Sequence, residues 1–268
     1  MKTVTAQDLT QLYVPSPASH KGQNGRLMII GGSHLFHAAS IWALEVASRI
    51  VDLVHYSSVP ENNEIVAEVK KQFRDGIIVP RSEIEAYIEE DDAVLIGPGM
   101  TRDKETEELT NSLLEKYPHK QWVIDAGALQ MMDITHIPKG AILTPHHKEF
   151  ELLWEKYHGN VLTEEAKVAQ FASHFGCVVL LKGQKDTVSN GRETRVVEGG
   201  NAGMTKGGTG DVLAGLVAAL ACKNDPMLAA TAASYINKKA GDALFQKAGV
   251  YFNASDLASQ IPVVMKEL

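Results

Sequence analysis

Runs of consecutive apolar residues alternate along the chain with stretches whose apolar positions recur every three or four residues. The continuous runs LMII, AVLIG, WVID, AIL and VVLL lie in segments 26–32, 93–99, 122–129, 141–146 and 177–183. A further strand-like segment spans 53–60. Uninterrupted apolar character, without polar alternation, is what strands covered on both faces require. Helical patterns fill 38–50, 62–73, 103–117, 149–157 and 163–175. The alternation predicts an α/β fold, a mainly parallel sheet with helices on both sides. Segment 187–197 breaks this rhythm. It alternates apolar and polar residues around Asn190-Gly191, the dipeptide of tight hairpins, and predicts an antiparallel hairpin at a sheet edge. A helix over 211–222 follows, then another entered by Asp225-Pro226, a capping residue and a first-turn proline. With no long linker, repeat or low-complexity tract, residues 1–268 read as a single domain.

Ligands of open parallel sheets bind beyond the carboxyl ends of the strands. The residues just after each apolar run are therefore the informative ones: Gly31-Gly32-Ser33, Gly97-Pro98-Gly99, Asp125-Ala126-Gly127, Thr144-Pro145-His146 and Lys182-Gly183. The densest motif lies further on, where Gly199 to Asp211 (GGNAGMTKGGTGD) leads directly into VLAGLVAALA. A glycine-rich loop opening a helix presents bare backbone N–H groups to an anion, with the helix dipole behind them. Asp211, at the start of that helix and beside the anion, is a candidate general base toward a hydroxyl; a simple N-cap is the plainer reading. The pattern lacks the Gly-Lys-Ser/Thr of a Walker loop.

Lys182 at a strand end can reach phosphates or remain a solvated surface lysine. Asp125 can serve the site or cap a turn. His146 is a site candidate or a structural histidine, and Glu149 can face a hydrated Mg²⁺ or cap the next helix. The remaining histidines show no zinc spacing.

Composition narrows the classes. A formal net charge of −7 disfavours a polyanionic nucleic acid as main partner. No apolar run reaches membrane-spanning length and no signal-like apolar segment opens the chain, so a cytoplasmic location without membrane attachment is expected. Cys177 and Cys222 do not make a disulfide framework and read as buried thiols.

In order, KGQNGRLMIIGGS, VLIGPGM, VIDAGAL, ILTPHHKEF, VVLLKG and GNAGMTKGGTGDVLAG resemble the ADP-dependent NAD(P)H-hydrate dehydratases, within the ribokinase-like superfamily. The resemblance runs from Lys21 to about Gly241 and implies a three-layer α/β/α sandwich. It implies nucleotide-driven elimination of water from (6S)-hydrated NADH or NADPH, with ADP or ATP consumed, Mg²⁺ as cofactor and a homo-oligomer, a tetramer, as assembly. Carried over residue by residue, Asp211 is the catalytic acid/base. Nucleotide contacts fall on Lys182, Gly183, Gln184, Lys185, Asp186, Gly207, Gly208, Thr209 and Gly210. The hydrate site falls on Ala39, Gly99, His146 and Asp211, and a water-mediated Mg²⁺ contact on Glu149.

The chain departs from the family pattern in several places. Thr-Pro-His-Pro-Gly-Glu reads here Thr144-Pro145-His146-His147-Lys148-Glu149. Ala38-Ala39 replaces Gly-Ala, and Asn237-Lys238-Lys239-Ala240-Gly241 replaces His-Gly-x-Ala-Gly. Two other readings share the anion hole. One is a ribokinase-like kinase of a vitamin precursor or sugar, the other a nucleotide-binding protein without catalysis.

Overall fold

The computed structural model describes residues 1–160 and 163–268. Its strands and helices follow one another from the amino terminus. Strand β1 (Lys2–Thr3) precedes β2 (Arg26–Ile30), helix α1 (His37–Ala47), β3 (Leu53–Ser57), α2 (Pro60–Val69) and β4 (Ile77–Ile78). Then come α3 (Ile84–Glu90), β5 (Ala93–Ile96), α4 (Lys104–Lys116), β6 (Gln121–Ile124) and α5 (Ala126–Met131). The second half runs β7 (Ile142–Leu143), α6 (His147–Tyr157), α7 (Glu164–Phe175), β8 (Val178–Leu181), β9 (Asp186–Ser189) and β10 (Thr194–Val197). Helices α8 (Thr209–Ala221), α9 (Pro226–Ala248) and α10 (Ala254–Lys266) complete the chain.

The strands form one sheet in the order β1-β10-β9-β8-β7-β6-β5-β2-β3-β4. Every pairing is parallel except those of β9, which runs against both β8 and β10. The pleat divides the strand side chains between two cores. Leu27 and Ile29 of β2 join α1, α8, α9 and α10 on one face, whereas Met28 and Ile30 join the layer of α4 to α7 on the other. The three-layer sandwich with a mainly parallel sheet is therefore present, and the continuous apolar runs are its double-faced strands. Helix α8 lies so deep that every residue from Val212 to Ala221 is buried. Small residues permit this: a Cβ on Gly215 would lie 2.6 Å from the backbone of Ala43 in α1. None of the described helices is long and apolar enough to cross a membrane.

Three expectations are corrected. The run 122–129 is not one strand, because the chain turns at Asp125. Ala126 takes a left-handed φ of 45°, and helix α5 begins there. The helix expected over 211–222 begins two residues earlier, at Thr209, with Gly208 at its cap and φ 96°. Asp211 therefore sits inside the first turn, not at the cap. The hairpin around Asn190-Gly191 forms, but not at the sheet edge where it was expected, because β1 pairs outside β10 and takes the edge. Both cysteines are buried and free.

Strand order reverses between β2 and β5, which leave the switch in opposite directions. The loops that follow them touch: Gly32 N donates to Pro98 O at 2.7 Å. Crevices at such a reversal are where parallel sheets hold ligands.

Candidate active site

Four strand ends and the amino end of α8 converge on one charged cluster. Lys182, just after β8, places Nζ 2.8 Å from Asp125 Oδ1, just after β6. Thr144, after β7, donates its hydroxyl to the same oxygen at 2.8 Å. Asp125 occupies the cap position of α5, yet its carboxylate makes no capping bond and turns instead to these two partners. Close approach of the Asp125 backbone requires glycine opposite: a Cβ on Gly97 would lie 1.8 Å from Asp125 O. The Lys182 ammonium also lies beneath the start of α8, 3.6 Å from where a Cβ on Gly210 would stand.

Asp211, in that first turn, meets the field of this cluster. Burial raises its carboxyl most, Asp125 and Glu149 raise it further, and Lys182 opposes them, leaving it pushed up to about 7. For Lys182, burial acts to lower the ammonium, but Asp125, Glu149 and Asp211 together outweigh it and hold it above the usual lysine range. Asp125 is tied to the Lys182 cation, while Asp211 titrates near neutrality. That is the range suited to a group that takes up and releases a proton during turnover.

His146 caps α6, its Nδ1 accepting from Glu149 N, while Glu149 returns a bond from His146 N to Oε2 at 2.9 Å. Gln130 Nε2 donates to Glu149 Oε1 at 2.9 Å. Glu149 therefore has a structural task, and it is buried. Among the described residues no group of three or more His, Cys, Asp or Glu side chains converges on a metal position.

Beside the cluster opens a cavity of about 790 Å³. Of the expected nucleotide contacts, Lys182, Gly183, Gln184, Asp186, Thr209 and Gly210 line it, as does His146. Lys185 stands outside the wall and pairs with Glu198 at 2.7 Å, both largely exposed. Gly207 and Gly208 are also outside the lining. Gly208 is packed under Trp42, where a Cβ would approach the indole to 2.4 Å. Ala39 and Gly99 adjoin one another at the sheet's switch point, with 3.0 Å between Ala39 Cβ and the position of a Cβ on Gly99.

Asp186 shapes the loop more than it faces the cavity. Its Oδ1 accepts from Gly183 N at 2.9 Å and lies 3.2 Å from Lys238 Nζ, and its Oδ2 accepts from Ser234 at 2.7 Å. Sequence reasoning did not select Asn201, Met204 or Leu213, which also line the cavity, and it marked Asn237 and Lys238 only as departures. Lys238 is nearly buried, and its ammonium also donates to Gly183 O at 3.1 Å and Gln184 O at 3.0 Å. Alanine recurs along α9, so no polar–apolar contrast in the sequence marked Asn237 and Lys238 as cavity residues.

Comparison with known proteins places this arrangement. The sequence model of the NAD(P)H-hydrate dehydratases matches residues 27–263. The chain is 36% identical to the bifunctional NAD(P)H-hydrate repair enzyme Nnr of Methanocaldococcus jannaschii, over 97% of this chain and 52% of that protein. It thus spans about half the length of that relative. It is also 36% identical to the ADP-dependent (S)-NAD(P)H-hydrate dehydratase of Nitrosopumilus maritimus, over 99% of this chain and 97% of that protein. Among solved structures, a ribokinase-like superfamily protein of Enterococcus faecalis superposes with a TM-score of 0.85 at 22% identity, covering 99% of this chain and 95% of that one. The ADP/ATP-dependent NAD(P)H-hydrate dehydratase of Bacillus subtilis, co-crystallised with ATP and Mg²⁺, gives 0.83 at 22% identity, covering 99% and 98%. The two structural likenesses establish the ribokinase-like fold.

Proposed function

The chain belongs to the NAD(P)H-hydrate dehydratase family, and we propose that it restores NADH or NADPH from the (6S)-hydrate by a nucleotide-dependent dehydration, with ADP or ATP consumed. The observation that carries this reading is Asp211, raised to about 7 in the first turn of α8, directly after Gly210 and beside the Lys182–Asp125 pair.

Hydroxide is a poor leaving group, so the hydrate's hydroxyl must first be converted into a better one. Asp211 takes the hydroxyl proton as that oxygen attacks the terminal phosphoryl group of the nucleotide, so the O–P bond forms and the bridging P–O bond breaks. From ADP the other product is AMP. The amides at the start of α8 and the Lys182 ammonium meet the charge that builds on the transferring group. The electron pair on the ring nitrogen of the hydrated tetrahydropyridine then expels phosphate from the ring, and loss of a ring proton restores the double bond of the dihydropyridine. The hydrate is assigned to Ala39, Gly99 and His146 beside Asp211, the nucleotide to Lys182, Gly183, Gln184, Asp186, Thr209 and Gly210. Lys185, Gly207 and Gly208 act from outside the cavity wall.

A Mg²⁺ ion entering with the nucleotide fits as an outer-shell partner. Glu149, already bonded at both oxygens, would hold it through water, and the ion would neutralise phosphate charge. A kinase would use the same anion hole but release a stable phosphorylated product. The test is direct. Purified protein with hydrated NADH is expected to regain dihydronicotinamide absorbance only when ADP or ATP is added. Equal rates without nucleotide, or accumulation of a phosphorylated substrate in the mass spectrum, would refute the reading.

A further inference from the structure

Five buried side-chain polar atoms have no hydrogen-bond partner among the described residues: Ser57 Oγ, Arg81 Nη1, Thr110 Oγ1, Thr231 Oγ1 and Asn237 Oδ1. Of these residues, only Asn237 lines the 790 Å³ cavity. Buried polar groups nearly always find partners, so one without a partner on a residue of a cavity wall marks a bond reserved for something else. Asn237 is only 5% exposed, which makes it part of the wall and not a surface side chain able to turn to bulk water.

Its position within the cavity indicates what that partner is. The phosphate-binding features, Lys182 and Gly210, occupy one part of the wall. Leu213 follows Gly210 by about one helical turn of α8, and Met204, which packs over Gly241 of α9, continues the apolar lining. Asn237 stands on α9 one turn before Gly241, so Met204 and the unpartnered carboxamide belong to the same region of a cavity that Leu213 also lines. A flat heteroaromatic ring matches that combination: its faces meet Leu213 and Met204, and one polar edge meets an amide. A carboxamide offers one acceptor and one donor side by side. Adenine's N6 amino group and N7 are the complementary donor and acceptor, the pairing by which Asn and Gln read adenine elsewhere.

We infer that Asn237 is the base-reading residue of the nucleotide site, its Oδ1 accepting from the adenine N6 amino group and its Nδ2 donating to N7. The inference rests on the reading of this cavity as the nucleotide site and adds the selection of the base. Hypoxanthine presents a carbonyl where adenine presents the amino group. It places two acceptors opposite the single donor of Asn237 and so loses the paired bond.

The experiment is calorimetric titration of ADP and of IDP into the wild-type protein and into Asn237→Leu, in the absence of hydrate. Asn237→Leu preserves side-chain volume and removes both polar atoms. Wild type is expected to bind ADP on the order of 10- to 100-fold more tightly than IDP, the scale of one or two hydrogen bonds lost in a buried site. The variant is expected to bind the two nucleotides within about three-fold of each other. Equal affinities in the wild type would overturn the assignment without any variant, so it stays testable if Asn237→Leu does not fold. A folded Asn237→Leu, judged by its melting transition, that keeps the preference for ADP would also overturn it. Absence of binding by either nucleotide to the wild type would remove the nucleotide reading and this inference together, and is distinguished by the flat titrations.

Discussion

Lys182 and Asp125, 57 positions apart in sequence, meet at 2.8 Å beneath the opening turn of α8, with Asp125 only 2% exposed. The lysine compensates a buried carboxylate and lines the cavity, where the proposed function has it meet the nucleotide's phosphates. Deleting it separates the two roles. Lys182→Ala is expected to weaken ADP binding and also to lower stability by about 3–5 kcal/mol, because Asp125 is left as an uncompensated buried charge. Adding Asp125→Asn to Lys182→Ala should recover much of the melting temperature but not the nucleotide affinity. Chemical denaturation and calorimetric titration of both proteins check this; recovery of affinity together with stability would show that Lys182 acts only as a structural counter-ion.

Asp211→Asn probes the proposed proton acceptor in a different way. Turnover should fall roughly 100-fold or more, the lower range of what a positioned base supplies. Stability should move the other way at neutral pH. Because the folded-state carboxyl lies near 7, against 3.8 as its ordinary value, the folded protein holds more protons than the unfolded chain between those limits. Wild-type stability is therefore lost as pH rises through that window, and the neutral asparagine avoids the loss. The variant should be more stable than wild type at pH 8, by a few kcal/mol at most, and indistinguishable from it at pH 4. Thermal melts at the two pH values give the answer; a destabilised variant at pH 8 would mean that Asp211 is held chiefly as a structural anion.

The same shift sets the expected pH dependence of the reaction. Asp211 must be ionised to accept a proton, so kcat/KM for the hydrate should rise with pH through a midpoint at about 7 and level off above it. Bound phosphate charge pushes the midpoint upward. A rate constant flat between pH 6 and 8 would exclude Asp211 as the titrating base.

What the sequence disclosed and what it concealed follow from the range of the interactions. The glycine-rich loop was legible because its chemistry is local: Gly208 needs positive φ and has no room for a Cβ under Trp42. The helix start was displaced by two residues because Thr209 and Gly210 carry no apolar signal, although Thr209 anchors the turn through bonds to Met204 O at 2.6 Å and Lys206 O at 2.9 Å. Strand ends identified Lys182 and Asp125 separately, but their pairing arises from sheet order, with β7 between them, and no local pattern encodes that. Two-residue strands such as β4 are too short for any periodicity. On α9, alanine on several faces hides which way Asn237 and Lys238 point, so these cavity residues emerged only from three-dimensional packing.

Lys238 tests how far the shape of the nucleotide loop, and not any contact with the reacting atoms, governs binding. Its ammonium donates to Gly183 O and Gln184 O and faces Asp186 Oδ1 at 3.2 Å. Its stem runs along Gly200, where a Cβ would come within 3.4 Å of Cγ. Lys238→Met keeps that packing and removes the charge, so two carbonyls and a carboxylate only 4% exposed lose a shared donor. The loop from Lys182 to Asp186 then has no fixed tie to α9 beyond the Ser234 bond, and nucleotide must select its shape from a broader set. The KM for ADP is expected to rise about tenfold or more, the scale of losing charge-assisted hydrogen bonds. The kcat at saturating ADP should stay within a few-fold, because Asp211 and the amides of α8 are untouched. Lys238→Arg should not restore affinity, since its planar fork does not match three acceptors grouped around one nitrogen. Steady-state kinetics with ADP and hydrate varied in turn separate these outcomes: a collapse of kcat with unchanged KM for ADP would place Lys238 in the chemistry itself, and a rise in the KM for hydrate alone would place it on the other substrate.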